Sequence, residues 1–176
     1  AAVVDPQVML TVPAGVTVST GLDALSHALE AIWNINANPI SDTFAVSAIE
    51  DILECLPSLR RDLGNQELRS RMALAALQAG LAFSNTKTAL AHSICCERTL
   101  HPGLPCSFTL PLVLGLAWGH DAARDRTLQR VFGDDLDKAQ TRLRNFLPSL
   151  EVKTEFADYG VTPTEAAAMI RFALQG

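Results

Sequence analysis

Apolar residues recur every three or four positions along most of the chain, which is the period of an amphipathic α-helix. The first such stretch predicts a helix from Ser19 or Thr20 to about Asn36, because either hydroxyl can cap it and "NANP" stops it. A second helix is predicted to begin after Ser41 and to end near Pro57. The alternation of strands with helices that builds a parallel sheet is missing from this part of the chain.

The middle of the chain continues the helical pattern. A third helix, rich in Ala and Leu, is predicted to begin after Asn65, and "NTKTALAHSICCERTL" is also helical in character. The pattern breaks at "HPGLP". After this break, "CSFTLPLVLGLAWGH" is apolar enough to predict a central buried helix with a bend at Pro111.

The two ends of the chain complete the prediction of an all-α helical bundle. Near the C-terminus "DLDKAQTRLRNFL" is amphipathic, and "TPTEAAAMIRFAL" opens with a capping box in which Thr162 caps, Pro163 is first in the helix and Glu165 reaches back. At the other end "AAVVDP" predicts a short strand within residues 1–10 that has no partner strand in the sequence. We therefore expect residues 1–176 to form a single helical domain.

Composition restricts the classes of function. The chain is 48% hydrophobic with a net charge of -5, and its 14 basic residues are scattered. Neither a nucleic-acid-binding surface nor a basic membrane-binding patch is expected, which leaves small molecules and protein partners. No apolar run reaches the roughly 20 residues needed to cross a bilayer, so we expect a cytoplasmic protein. The four cysteines are expected to be reduced thiols: Cys55, Cys95, Cys96 and Cys106.

The stretch "TGLDALSHALEA" carries an aspartate and a histidine four residues apart. At 100° per residue, Asp23, His27, Glu30 and Asn34 fall on one stripe beside the apolar stripe of the first helix. On spacing alone, the solvated face of an amphipathic helix is the favoured interpretation. The alternative is half of a metal site, in which a carboxylate and an imidazole chelate a divalent cation. A metal site needs donors from a second segment. His92 in "LAHSICC" is the candidate, although a histidine in such a segment also fits a hydrogen-bonded core residue.

These residues, with their surroundings, resemble the iron-containing, or group III, alcohol dehydrogenases. The resemblance is carried by "TGLDALSHALEA" followed by "NPISD", then by "AGLAFSNTKTALAHS" and by "SFTLPLVL". It extends from about Val4 to Leu114. The segments "FSNTKTALAHSI" and "CSFTLP" are most similar to the branch that includes phosphonoacetaldehyde reductases. A phosphonate would need cationic partners, and Lys87 and Arg98 lie near this motif, although two basic residues in a helical segment also fit a solvated face.

The resemblance implies a fold and a set of cofactors. Such enzymes bind a nicotinamide cofactor in an N-terminal α/β domain and a catalytic divalent metal, Fe²⁺ or Zn²⁺, in a helical C-terminal domain. This chain resembles the second domain alone, so residues 1–10 would be the last strand of an absent cofactor domain. NAD(P) is therefore expected to bind only together with that domain, because no Gly-rich phosphate-binding turn occurs here.

The resemblance also implies the metal ligands and their role. The family holds its metal with one aspartate and three histidines, and three of these four ligands correspond here to Asp23, His27 and His92. The metal would polarise the oxygen of a small aldehyde or alcohol for hydride transfer.

Two positions depart from the family pattern. The family's second histidine of the later motif corresponds to Cys96, a candidate catalytic residue, and the third corresponds to Cys106, a candidate fourth ligand. Either Cys106 replaces that histidine directly, as a thiolate ligand, or residues of the type "HGLA" are absent before it. The second alignment is favoured because "CSFTLP" resembles the stretch after the histidine. His101 is a further substitute ligand.

Other functions remain open at this point. A relative similar to maleylacetate reductase would work without metal, and a non-catalytic helical or dimerisation module would leave the metal site empty. A structural zinc clip through His92, Cys95, Cys96 and Cys106 lacks the usual C-x-x-C spacing. For the leading hypothesis we expect a small aldehyde or alcohol substrate, a homodimer, and little or no dehydrogenase activity from this chain alone.

Overall fold

The computed structural model describes residues 3–86, 90–92 and 104–173. Within these ranges the chain is a helical bundle, as predicted, and no β-strand forms there. Residues 90–92 are helical. The longer helices are, in chain order, α1 (Ala14–Trp33), α2 (Pro39–Arg61), α3 (Gln66–Thr86), α4 (Leu104–Ala117), α5 (Ala122–Phe132), α6 (Leu136–Ser149) and α7 (Pro163–Ala173).

The core forms where α1 packs against α2, α3 and α4, with α6 behind α4. The apolar stripe of α1 is almost entirely removed from solvent, as its period predicts. Gly21 lies on this contact: a Cβ there would lie 2.9 Å from the methyl carbons of Leu56, so the absence of a side chain lets α2 approach α1. The largest fully buried side chains of α1 are those of Leu22, Leu25, Leu29 and Ile32.

The predicted strand at residues 1–10 is wrong for the residues described there. Pro6–Met9 form a 3-10 helix, and Asp5 caps it by accepting the backbone N–H of Gln7 at 2.9 Å. Val3 is 94% exposed and Val8 is 72% exposed. A strand needs a neighbour for its backbone groups, whereas a short capped turn satisfies part of them locally, which accounts for the difference.

The first predicted helix is also wrong at its start, because α1 begins at Ala14, five residues before Ser19. The hydroxyls of Ser19 and Thr20 do not cap a helix. Both donate backwards to the carbonyl of Val16, at 3.1 and 2.8 Å, inside a helix that has already begun.

α2 extends beyond both of its predicted ends. It starts at Pro39 because Asn38 and Ser41 form a capping box, so Ser41 is the third residue of the helix and not its cap. It continues through Pro57 to Arg61, since the buried face of α2 continues beyond Leu56 to Leu59. Burial of that face offsets the unfavourable effect of a proline inside the helix.

Two other predictions are confirmed, the start of α3 directly after Asn65 and the capping box of α7. The capping box of α7 forms, with the backbone N–H of Thr162 donating to the Glu165 carboxylate at 2.8 Å. The prediction of a central buried helix holds in part: α4 is apolar and buried at Leu110 and Leu114, but Leu112 and Leu116 are exposed, so only one face of it is buried.

Arg69 of α3 fixes the entry to α1. Its side chain is 4% exposed and donates to the carbonyl of Leu63, to the hydroxyl of Thr17 and to the carbonyl of Val12, at 3.0, 2.8 and 2.9 Å. A buried guanidinium is stable only when its donors are satisfied, and here one arginine joins three segments. This network fixes the start of the helix that carries Asp23 and His27.

Within the described ranges, no helix is both long enough and apolar enough to cross a bilayer.

Candidate metal centre

The polar stripe of α1 faces the C-terminal end of α3 and the helical residues 90–92. Asp23 and His27 lie one turn apart on this stripe, and the ring of His92 stacks on the ring of His27 with centroids 4.4 Å apart and planes 17° from parallel. Phe83 of α3 packs against His27 at 4.5 Å. The structure therefore brings together the three residues that the sequence proposes as metal ligands.

Asp23 is at the centre of the group. One carboxylate oxygen lies 3.4 Å from Nε2 of His27, and the other lies 3.5 Å from Nε2 of His92. One donor atom from each residue lies within 4.8 Å of the others, which makes a group that could hold a metal ion. We refer to Asp23, His27 and His92 as the donor cluster.

The donor cluster is partly shielded from solvent. The side chains of Asp23, His27 and His92 are 32%, 22% and 13% exposed, so one side of the group is open. Nδ1 of His27 is buried and has no hydrogen-bond partner among the described residues. A partly open cluster of this kind can admit a small molecule while excluding most of the surrounding water.

The charge state of Asp23 suits a ligand. Burial alone raises the pKa of its carboxyl, but the interactions with the neighbouring imidazoles of His27 and His92 outweigh it, so the pKa lies well below the ordinary range. Asp23 is therefore ionised at neutral pH, as a metal ligand must be.

A fourth side chain lies behind His92. Glu30 is fully buried, and its carboxylate accepts the backbone N–H of His92 at 3.0 Å while its second oxygen lies 2.5 Å from Nδ1 of His92. Sequence reasoning placed Glu30 on the polar stripe but assigned it no role. The only signal available was its position one turn after His27 on the same stripe as both ligands. Its burial contradicts the alternative in which this stripe is a solvated face.

The remaining predicted site residues cannot be placed. Cys96 and His101 lie outside the described residues, as do Lys87 and Arg98. The backbone of Cys106 lies in the first turn of α4, and its side chain is not among the parts of the chain that the structure describes. The predictions of Cys96 as a catalytic residue, of Cys106 or His101 as a fourth ligand, and of a cysteine-rich zinc clip therefore stay predictions.

The donor set fits the metals that the sequence proposed. One carboxylate and two imidazoles converge within 4.8 Å, a combination that suits divalent iron or zinc. Three protein donors leave coordination positions for a small oxygen-containing molecule, as in catalytic metal sites generally.

Comparison with known proteins agrees with the sequence resemblance. A family model described as "Fe-containing alcohol dehydrogenase family, C-terminal" matches residues 17–176. The NAD-dependent methanol dehydrogenase of Bacillus methanolicus is 30% identical over 187 residues, which cover 99% of this chain and 49% of that protein.

Two solved structures show the same fold. Sulfoacetaldehyde reductase from Bifidobacterium kashiwanohense, in complex with NAD⁺, superposes with a TM-score of 0.86 at 27% identity over 96% of this chain and 46% of that one. Maleylacetate reductase from Rhizobium sp. strain MTP-10005 superposes with a TM-score of 0.85 at 24% identity. The match covers 98% of this chain and 49% of that one. The chain spans about half the length of the relatives it matches.

Proposed function

Because the chain belongs to the Fe-containing alcohol dehydrogenase family, we propose that it is the metal-binding, substrate-facing half of an NAD(P)-dependent alcohol dehydrogenase or aldehyde reductase. The observation that carries this proposal is the convergence of Asp23, His27 and His92 within 4.8 Å. Two unrelated segments of the chain contribute to the donor cluster, so the convergence is a property of the fold and not of helix spacing alone.

A bound Fe²⁺ or Zn²⁺ would supply a Lewis acid that polarises the oxygen of a small aldehyde or alcohol during hydride transfer. The protein's part is positioning. Asp23 contributes the negative charge that favours a cation, His27 and His92 contribute neutral nitrogen donors, and Phe83 holds one face of the His27 ring. The open side of the donor cluster is where the substrate oxygen would enter.

The nicotinamide cofactor is part of the same proposal. Family members bind NAD(H), and the solved sulfoacetaldehyde reductase contains NAD⁺. The present sequence has no Gly-rich phosphate-binding turn and covers about half of each relative. We therefore expect this chain alone to show little or no dehydrogenase activity.

The proposed substrate is a small aldehyde or the corresponding alcohol. Relatives named for methanol and for sulfoacetaldehyde support a small alcohol or aldehyde, and the sequence resemblance to phosphonoacetaldehyde reductases supports an anionic aldehyde. A homodimer and a cytoplasmic location belong to this proposal as well.

The metal-free alternative, a function similar to that of maleylacetate reductases, receives less support. The likeness to the solved maleylacetate reductase, at 24% identity, concerns the fold alone. The convergence of an ionised carboxylate with two imidazoles favours the metal-dependent function, because a metal-free enzyme has no need for these donors to converge.

Cobalt substitution tests the proposal. The purified chain is loaded with Co²⁺, whose visible absorption reports the ligands around it, and acetaldehyde or ethanol is then added. We expect about one equivalent of bound cobalt, absorption bands that change on adding the alcohol or aldehyde, and no such bands in Asp23→Asn.

Two results would oppose the proposal. A folded chain that retains far less than one equivalent of cobalt, zinc or iron would support the metal-free alternative. Rapid NAD(P)H-dependent aldehyde reduction by this chain alone would contradict the proposed need for a separate cofactor domain.

A further inference from the structure

Glu30 is the most deeply buried ionisable side chain near the donor cluster. It is 0% exposed, and both of its oxygens face His92, one toward the backbone N–H at 3.0 Å and one toward Nδ1 at 2.5 Å. A buried carboxylate is strongly unfavourable unless it is hydrogen-bonded, so its presence here points to a role that an apolar residue could not fill.

We propose that Glu30 is a positioning residue that fixes the tautomer and the orientation of the His92 ring, so that Nε2 is the nitrogen presented to the metal. This inference rests on the proposed function of the donor cluster. Glu30 acts through His92 and does not itself ligate the metal.

The geometry around the ring indicates where its hydrogen lies. Nδ1 of His92 is 2.5 Å from a Glu30 carboxylate oxygen, whereas Nε2 is 3.5 Å from Asp23, so the hydrogen of the neutral ring belongs on Nδ1, where it is donated to Glu30. A neutral imidazole has one N–H, and therefore Nε2 retains its lone pair. Nε2 is the atom that lies 3.5 Å from Asp23, inside the donor cluster. Carboxylates that accept from the outer nitrogen of a histidine ligand commonly orient that ligand.

The other oxygen of Glu30, Oε1, also limits the movement of His92. Because it accepts the backbone N–H of His92, the same carboxylate fixes the main chain and the ring of one residue. The contact joins α1 to residues 90–92 across 62 positions of sequence. The His92 ring therefore has little freedom to rotate away from Asp23 and His27.

The nearly isosteric variant Glu30→Gln separates this role from simple packing. The Gln amide has one acceptor and one donor end, so it cannot accept from both the backbone N–H and Nδ1–H of His92. If the amide oxygen keeps the backbone N–H, its NH₂ group faces Nδ1 and favours the opposite tautomer, with hydrogen on Nε2. Asp42→Asn is a matched control, because Asp42 is a partly buried carboxylate that accepts from the hydroxyl of Thr127 at 2.9 Å.

The tautomer can be measured directly. In the metal-free, ¹⁵N-labelled chain at a pH where His92 is neutral, long-range ¹H–¹⁵N correlations distinguish the protonated ring nitrogen from the other. We expect Nδ1–H for His92 in the native chain and in Asp42→Asn, and Nε2–H in Glu30→Gln. A native His92 that carries its hydrogen on Nε2 would overturn the inference, and this result needs no variant to fold.

Zinc affinity supplies the second measurement, by competition with a chromophoric chelator. For Glu30→Gln we expect affinity weaker by about 10- to 100-fold, the usual effect of losing such an orienting partner, with Asp42→Asn unchanged. Equal affinity in a folded Glu30→Gln would contradict the inference even if the native chain binds zinc well. If the native chain binds no zinc, the proposed function fails, while the tautomer of His92 still decides the role of Glu30.

Discussion

The donor cluster and the ion pairs between α2 and α3 contain similar residue types but are built differently. Between α2 and α3, Arg71 donates to Asp51 at 2.6 Å and to Glu54 at 2.8 Å, on a surface where the Glu54 side chain is 70% exposed. On α1, Asp23 faces two imidazoles in a partly buried group. Each carboxylate near Arg71 has a permanent cation as its partner, whereas no arginine or lysine satisfies Asp23 in the described structure.

This difference shows which feature of a charged cluster indicates chemistry. In an ion pair, donors meet acceptors and little capacity remains to bind anything else. In the donor cluster, acceptor atoms converge on a common volume, and they are satisfied most fully by an added cation. Composition and helical spacing do not distinguish the two cases, because Asp51 and Glu54 also lie one turn apart on a helix.

The largest expected effect concerns stabilisation by zinc. A ligand that binds only the folded chain at 100 times its dissociation constant adds about 2.7 kcal/mol to the free energy of unfolding. We expect this gain in the native chain and in Arg71→Ala, and its loss in Asp23→Asn and in His27→Ala. Thermal unfolding with and without zinc measures it. Equal zinc stabilisation of Asp23→Asn would show that the metal binds elsewhere.

The next effect concerns the stability of the metal-free chain. Glu30→Ala leaves the backbone N–H and Nδ1–H of His92 without their buried acceptor, and we expect a loss of about 1–3 kcal/mol in urea unfolding. Glu54→Ala removes only an exposed partner of Arg71, so no measurable loss is expected. Equal losses for the two variants would remove the distinction between the clusters.

A smaller effect concerns pH and salt. The pKa of Glu54 is lowered, mainly by its hydrogen bond with Arg71, and in Asp23 the two histidines overcome the opposite effect of burial. A lowered folded-state pKa contributes stability above the unfolded-state value, near 3.8 for Asp and 4.5 for Glu, which is lost as the pH falls through the folded-state pKa.

Salt should separate these two carboxylates. At 1 M salt the screening length is about 3 Å, so the pKa of exposed Glu54 should return toward its ordinary value while that of Asp23 changes less. Carboxyl ¹³C titrations at low and high salt measure both groups in one sample. A larger salt response from Asp23 would show that its surroundings are as solvated as those of Glu54.

The smallest expected effect is that of Arg71→Ala. Exposed salt bridges contribute little to stability, so we expect an unfolding midpoint and a zinc affinity within error of the native values. A marked fall in zinc affinity would show that the two clusters are coupled through the packing of α2 and α3 against α1.

Much of the fold and part of the site follow from the sequence, because they depend on local patterns. Helical periodicity predicted the bundle, the start of α3 and the capping box at Thr162. It failed at residues 1–10, where an apolar stretch resembles a strand but forms a 3-10 helix, and at Ser19 and Thr20, whose hydroxyls donate within α1. Residue type alone does not say whether a hydroxyl caps a helix or donates inside it.

The sequence predicts the donor cluster better where its residues lie close together along the chain. Spacing places Asp23 and His27 on one stripe of a helix but does not distinguish a metal site from a solvated face. His92, 65 positions from His27, was a candidate because it lies among other ligand-type residues, and the resemblance to a known family favoured all three as ligands. Glu30 escaped prediction because a charged residue on a polar stripe is ordinarily solvated, and only the tertiary contact with His92 buries it. The roles of Cys96 and Cys106 stay predictions.

The most direct test of the central claim is the stoichiometry and residue dependence of metal binding by the native chain. Zinc is titrated against a chromophoric chelator into the native protein, Asp23→Asn, His92→Ala and the control Arg71→Ala, with folding checked by circular dichroism. We predict that the native chain and Arg71→Ala each bind about one equivalent of zinc. In Asp23→Asn and His92→Ala we predict that the zinc affinity falls by more than about 100-fold, because each change removes a metal ligand and not only a residue that orients one. Folded Asp23→Asn and His92→Ala proteins that bind zinc as tightly as the native chain would contradict the account.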